Sequence, residues 1–181
     1  MWGLDTRPVT ERSDLLAAPV AYAVQHWKQD TPVDDLLVAE IDPELADTAA
    51  CCAAYDVPMA ASANCVVVAA KRAGQVRMAA GVVLATTRAD VNGVVRRRLG
   101  ARKASFARQE EVVEATGMEY GGITPIGLPA DWPILVDPAA AGCPHAVIGS
   151  GLRSAQLVVP GTVLAGLPGA EVIEGLGVPV A

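Results

Sequence analysis

Apolar and polar positions alternate with different periods along the chain. Over 13–28 (SDLLAAPVAYAVQHWK) apolar residues recur at helical spacing; Ser13 is a candidate N-cap, and Pro19 predicts a kink or a separate first turn. Segment 35–41 (DLLVAEI) reads as a strand. Asp42, Pro43 and Glu44 supply an N-cap, a first helical position and a first-turn acid for a helix through Tyr55. Two apolar runs, 63–70 and 75–85, predict an antiparallel hairpin with Lys71–Gly74 as a four-residue loop. Asp90 predicts a capped helix to Leu99 that stops at Gly100. A strand near 103–106, a helix at about 108–115, strands at 133–137, 145–149 and 155–159, and a short C-terminal helix and strand complete the series. This irregular order around an early hairpin predicts an α/β domain with a mixed sheet.

Composition narrows the class. The chain has 181 residues, enough for one domain, and shows no internal repeat or linker. It is 52% hydrophobic but only 4% aromatic, so it is not disordered and its core is built from Ala, Val, Leu and Ile. The longest uncharged stretch, Ser154–Ala170, is interrupted by Pro160 and Pro168, so no membrane span is expected. The opening MWGLDTRPVTERSD lacks the basic start and apolar run of a signal peptide. Cys51, Cys52, Cys65 and Cys143 form no CxxC pair and read as free thiols of a cytoplasmic protein. The net charge of −6 is unevenly spread: residues 1–56 carry −8 and residues 57–181 carry +2. Arg88, Arg96, Arg97, Arg98, Arg102 and Lys103 form a local basic run with one acid, Asp90, within it. Such a run serves an anionic partner or simply solvates a helix end.

Several chemistries are absent. His26 and His145 have no ligand-spaced Cys or carboxylate neighbours, so no metal is expected. There is no GxSxG nucleophile elbow and no GxGxxG dinucleotide fingerprint. The informative stretch is Thr116–Pro129 (TGMEYGGITPIGLP). Its Gly121–Gly122 pair permits close backbone approach to a ligand, and Pro125 and Pro129 stiffen it. It reads either as a ligand-binding loop or as a structural crossover.

The run KASFARQEEVVEATGMEYGGITPIGLP, followed by PILVD and VIGSGLRSAQLVV, resembles the YbaK-type aminoacyl-tRNA editing domains, relatives of the editing insertion of bacterial prolyl-tRNA synthetases. The likeness runs from about Ile41 to Gly177 and includes Ala46-Asp47-Thr48, the hairpin, the TGxxxGGxxPxG loop, Asp137 and the Gly149–Gly151 turn. It implies a single compact domain with a curved sheet or partial barrel around a small pocket, over residues 41–181, with residues 1–40 as a helical extension packed on it. It implies a free-standing deacylase that hydrolyses the ester of a mischarged tRNA carrying a small amino acid, with no cofactor. The partner would be aminoacylated tRNA, not DNA or a membrane, and the protein a monomer or homodimer.

The site residues implied are Asn64, Gly121, Gly122 and Asp137 at the reaction centre, with Thr116, Gly117, Thr124, Pro125, Gly127, Gly149, Ser150 and Gly151 around the substrate. Arg96, Arg97, Arg98, Arg102 and Lys103 would meet tRNA phosphates. Backbone N–H groups of Gly121–Gly122 or Gly149–Gly151 are candidate oxyanion donors. Asp137 would orient a water or cap the segment beginning at Pro138. Asn64 stands where these domains usually carry a lysine; it keeps hydrogen-bonding capacity but offers no charge. The alternative implied by that difference is a non-catalytic binding module.

Overall fold

A computed structural model describes residues 1–180. In chain order the elements are β1 (Thr6–Pro8), α1 (Ala18–Gln25), β2 (Leu37–Glu40), α2 (Thr48–Ala54), β3 (Ala63–Arg72), β4 (Gln75–Leu84), β5 (Thr87–Ala89), α3 (Arg96–Arg98), β6 (Lys103–Phe106), α4 (Gln109–Thr116), β7 (Ile134–Val136), α5 (Pro138–Ala141), β8 (Ala146–Gly149), β9 (Ala155–Val159), α6 (Gly161–Ala165), β10 (Ala170–Val172) and β11 (Gly177–Pro179).

The hairpin of β3 and β4 is the spine. Its ladder runs unbroken from Ala63↔Leu84 to Arg72↔Gln75. The turn is two residues rather than four, so Lys71 and Arg72 belong to the strand. Ala73 and Gly74 both take positive φ, 52° and 77°, which matches the right-handed twist of the flanking strands. β6 pairs with the distal half of β3, while β7 and then β10 add in parallel beyond β4, giving the order β10-β7-β4-β3-β6. A second sheet, β1-β2-β9-β8, is antiparallel throughout, and β11 pairs with β5. A single parallel bridge, Ser62↔Val147, joins the two larger sheets. The strands therefore make a mixed α/β domain of several sheets flanked by helices, and they close no barrel. The first forty residues contribute not only α1 but also β1 and β2 to the second sheet.

The main core lies between the sheets. Val38, Ile148 and Leu157 from one meet Val82, Ile134 and Val136 from the other, and Val20 and Val24 of α1 close the edge. The alternate positions Ala39, Val147 and Val158 face outward and are covered by Cys51 and Cys52 of α2. This inside-outside alternation fixes the strand register, because a one-residue slip would exchange the two sets.

Local signals decided the helix ends. The expected helix over 13–28 is divided into a 3₁₀ turn at Ser13–Leu15 and α1, which starts just before Pro19, where a missing N–H costs nothing. Asp42 caps only a 3₁₀ turn; the cap of α2 is Asp47, whose carboxylate accepts from Ala49 N and Ala50 N. Asp90 caps as expected, but the turn it opens is π-helical over Val91–Val95 before α3. Gly117 ends α4 at φ 68°, a left-handed stop open to glycine. Among the described residues no helix is long and apolar enough to cross a membrane.

Candidate functional site

Two glycine-bearing segments far apart in sequence lock together backbone to backbone. Gly151 N donates to Gly122 O at 2.8 Å, Glu119 N donates to Gly151 O at 2.8 Å, and Gly122 N turns back to Glu119 O at 3.0 Å. The fit leaves no room for side chains. A Cβ on Gly122 would lie 2.7 Å from the Leu152 backbone, and one on Gly149 would run into the carbonyl of Gly122. The amides of Gly122 and Gly151 are thus spent on holding the bend, so neither is a free oxyanion donor. The Gly121 amide makes no hydrogen bond among the described residues, and Gly121 sits at φ 87°.

This bend forms one wall of a cleft of about 370 Å³. The opposite walls are the start of β3, with Asn64 and Cys65, and the N-terminal turn of α2, with Asp47 and Thr48. Asn64 is therefore brought to the same hollow as Gly121 and Gly149. Its Oδ1 accepts from the Thr48 hydroxyl at 2.9 Å, which fixes the amide and leaves its two N–H donors without a protein partner among the described residues. Asp47 brings a carboxylate to the same rim, with Oδ1 held by the α2 amides at 3.1 and 3.2 Å.

Arg153 completes the lining; it lies within the VIGSGLRSAQLVV run but was not among the expected site residues. Its Nη1 donates to Tyr120 O at 3.2 Å and its Nη2 to Pro43 O at 3.0 Å. A signal was present after the fact: Gly121 is small where Arg153 passes, and a Cβ there would be 2.5 Å from Nη1.

Burial raises the thiols of the cleft above their ordinary range. Burial pushes Cys65 up to about 12 and Cys51, beside Cys52, up to about 11. The thiolate, not the thiol, is the reactive form.

Other expected residues lie elsewhere. Asp137 is buried and caps α5 through Ala139 N at 3.0 Å, and its second oxygen accepts from Gly177 N at 2.8 Å; it does not line the cleft. Thr116 turns its hydroxyl back to Val112 O at 2.7 Å and also accepts from Met118 N, so it braces the helix end before Gly117. Ser150 is buried and hydrogen-bonds Leu152. Thr124 is fully buried and its Oγ1 has no partner among the described residues. Pro125 and Gly127 face a separate apolar groove against α1, where a Cβ on Gly127 would lie 2.6 Å from Pro19 O.

The basic residues divide. Arg98 is paired with Glu171 at 2.6 Å, and Arg96 donates Nε to Asn92 O at 2.8 Å. Arg97 is exposed. Arg102 and Lys103 share a hollow with Lys71 and Arg72 at the far end of β3. None of these last four has an ion-pair partner among the described residues.

The sequence profile of the aminoacyl-tRNA editing domain matches residues 42–167, more than half of the chain. Among solved structures, one described as a candidate trans-editing enzyme for prolyl tRNA synthetase superposes with a TM-score of 0.70 at 24% identity, covering 87% of this chain and 96% of that one. A scaffold protein from work on epitope backbone grafting by computational design superposes with a TM-score of 0.72 at 22% identity, covering 87% and 95%. No curated protein sequence matches the chain.

Proposed function

We propose, from the premise that this chain belongs to the aminoacyl-tRNA editing domain family, that it is a free-standing deacylase hydrolysing the ester between a small amino acid and the terminal ribose of a mischarged tRNA. The observation that carries this reading is the convergence of Asn64, Gly121 and Gly149 on one cleft with unspent donors. Water attacks the ester carbonyl, the carbonyl–ribose C–O bond breaks, and the products are free amino acid and a tRNA with its ribose hydroxyl restored. The negative charge developing on the carbonyl oxygen needs fixed donors. The Gly121 amide and the Asn64 N–H groups supply them. Asp47 offers a carboxylate to the ammonium of the amino acid. The cleft's volume, about 370 Å³, is at the lower end of small-molecule sites and fits a small side chain.

In this reading none of the three cleft cysteines, Cys51, Cys52 and Cys65, serves as base or nucleophile, since burial raises each above the ordinary thiol range. The ribose hydroxyl next to the ester is then the group that orients the water. The exposed cations Lys71 and Arg72 end β3 with Arg102 and Lys103 beside them, and Lys71 lies roughly 23 Å from Asn64, counting about 3.3 Å per residue. That spacing suits contact with phosphates of the duplex behind a tRNA end whose last nucleotide occupies the cleft.

The test is a panel of labelled small aminoacyl-tRNAs. The reading predicts hydrolysis above the spontaneous rate for at least one of them; rates equal to buffer across the panel reject it. A second reading, a binding module without catalysis, is favoured by the neutral Asn64. Asn64→Lys separates the two: turnover that appears only in the variant assigns the natural protein to binding.

A further inference from the structure

We infer that Arg153 is the phosphate anchor of the cleft, binding the 5′-phosphate of the nucleotide whose ribose carries the ester. Among the described residues Arg153 is the one cation lining the cleft. Its guanidinium spans from Pro43, at the entry to α2, to Tyr120 in the glycine-rich bend, and its own amide is fixed by Glu119 Oε1 at 2.9 Å. A guanidinium has five N–H donors in a rigid fork. Two are spent on the carbonyls of Tyr120 and Pro43, which hold the fork still without neutralising it. Three donors and the full charge remain, because no carboxylate among the described residues pairs with the side chain. A charged fork held by neutral acceptors and facing a hollow is suited to an anion.

The chemistry of the proposed substrate says which anion. An aminoacyl ester has lost its carboxylate, and its free amine is cationic, so the amino-acid end repels Arg153 and is drawn to Asp47 on the same rim. The nearest negative group on the nucleic-acid side is the phosphate of the terminal nucleotide. Asp47 and Arg153 thus present opposite charges to a ligand whose two ends are oppositely charged. The absence of a Cβ at Gly121 acquires a purpose here, since an alanine methyl at 2.5 Å from Nη1 would displace the fork. The charge that Asn64 does not provide enters the cleft from β9's leading turn instead.

This inference rests on the deacylation reading for its substrate but is tested without turnover. The probes are 5′-AMP and adenosine, titrated into the wild-type protein, Arg153→Gln and Arg153→Lys. The wild type is expected to bind AMP about tenfold more tightly than adenosine, the scale of a charge-assisted hydrogen bond. Arg153→Gln removes that preference and leaves adenosine affinity unchanged; Arg153→Lys retains part of it. In the wild type the Arg153 Nε–H resonance shifts with AMP and not with adenosine, a readout that needs no variant to fold. Equal affinity for the two probes in the wild type, no measurable AMP binding, or a preference that survives in Arg153→Gln overturns the inference. A protein that prefers AMP through Arg153 yet deacylates nothing sinks the enzyme reading alone, whereas an active enzyme indifferent to the phosphate sinks the anchor alone.

Discussion

Two hollows use the Thr116–Pro129 segment as a wall, and they differ in chemistry. The groove against α1 is the larger, about 540 Å³, and Tyr22, Trp27, Pro125, Leu128, Leu167 and Pro168 make it apolar. The cleft against α2 is about 370 Å³ and gathers a carboxylate, a guanidinium, an oriented amide and a free backbone N–H. Size and apolarity favour the groove; convergent donors of both charge signs favour the cleft. Hydrolysis of an ester depends on stabilising charge that develops in the transition state. On the proposed reading, the smaller hollow is the one that meets this need.

The comparison breaks most sharply at Gly149. Gly149→Val drives a branched side chain into the carbonyls of Gly122 and Ile123, unlocking the two bends. A loss of at least about 100-fold in deacylation is expected, together with a lower Tm. Tyr22→Ser, in the groove, is expected to leave kcat/KM within about twofold, as an exposed residue outside the cleft should. Equal losses in both variants would erase the distinction between the hollows.

Next in size is Asp137. It holds two backbone amides in a buried site, so Asp137→Ala is expected to cost about 2–3 kcal/mol in denaturant unfolding. The folded variant should keep its kcat/KM. A large kcat loss with unchanged stability would move Asp137 into the reaction.

Thr124 stands on the segment between the hollows with a buried hydroxyl that is unpartnered among the described residues. Thr124→Val keeps the shape and removes the unpaired group, and is expected to stabilise by about 1 kcal/mol. A destabilised variant would mean that the hydroxyl finds a partner in solution.

The smallest effect concerns the cleft thiols. Cys65 is raised to about 12 and Cys51 to about 11 from an ordinary 9.0. The unfolded chain ionises first, so their contribution to stability is whole below pH 9 and is lost as pH rises toward 11–12. Tm should fall over that window, and iodoacetamide should label the folded protein slowly at pH 8. Rapid labelling there would show a thiolate in the cleft.

Much of this arrangement was legible from local chemistry. The hairpin, the Asp90 cap and the glycine stop at Gly100 each follow from residues within a few positions of one another, and the structure has them. Asp42 reads as the cap of one helix to Tyr55, whereas it caps only a 3₁₀ turn and Asp47 caps α2, whose Cys51 and Cys52 pack on the second sheet. The two-residue turn at Ala73–Gly74 was hidden because Ala73 is a poor residue for positive φ; the long ladder imposes it. The site was half legible. Asn64 and the two glycine bends came from the resemblance, and their meeting is a matter of topology. Arg153 stood in the VIGSGLRSAQLVV run with no role assigned, because it gains meaning only from the carbonyls of Pro43, 110 residues away, and Tyr120. Asp137, read with two possible roles, is found holding helix and strand ends together.

The most direct measurement is a crystal structure with an adenosine whose ribose carries a small amino acid through a non-hydrolysable amide. The account predicts the amide carbonyl within hydrogen-bond distance of the Gly121 amide and the Asn64 side chain, with the ammonium toward Asp47. Ligand seated instead in the groove beside Trp27, or a cleft left unaltered at saturating ligand, would contradict it.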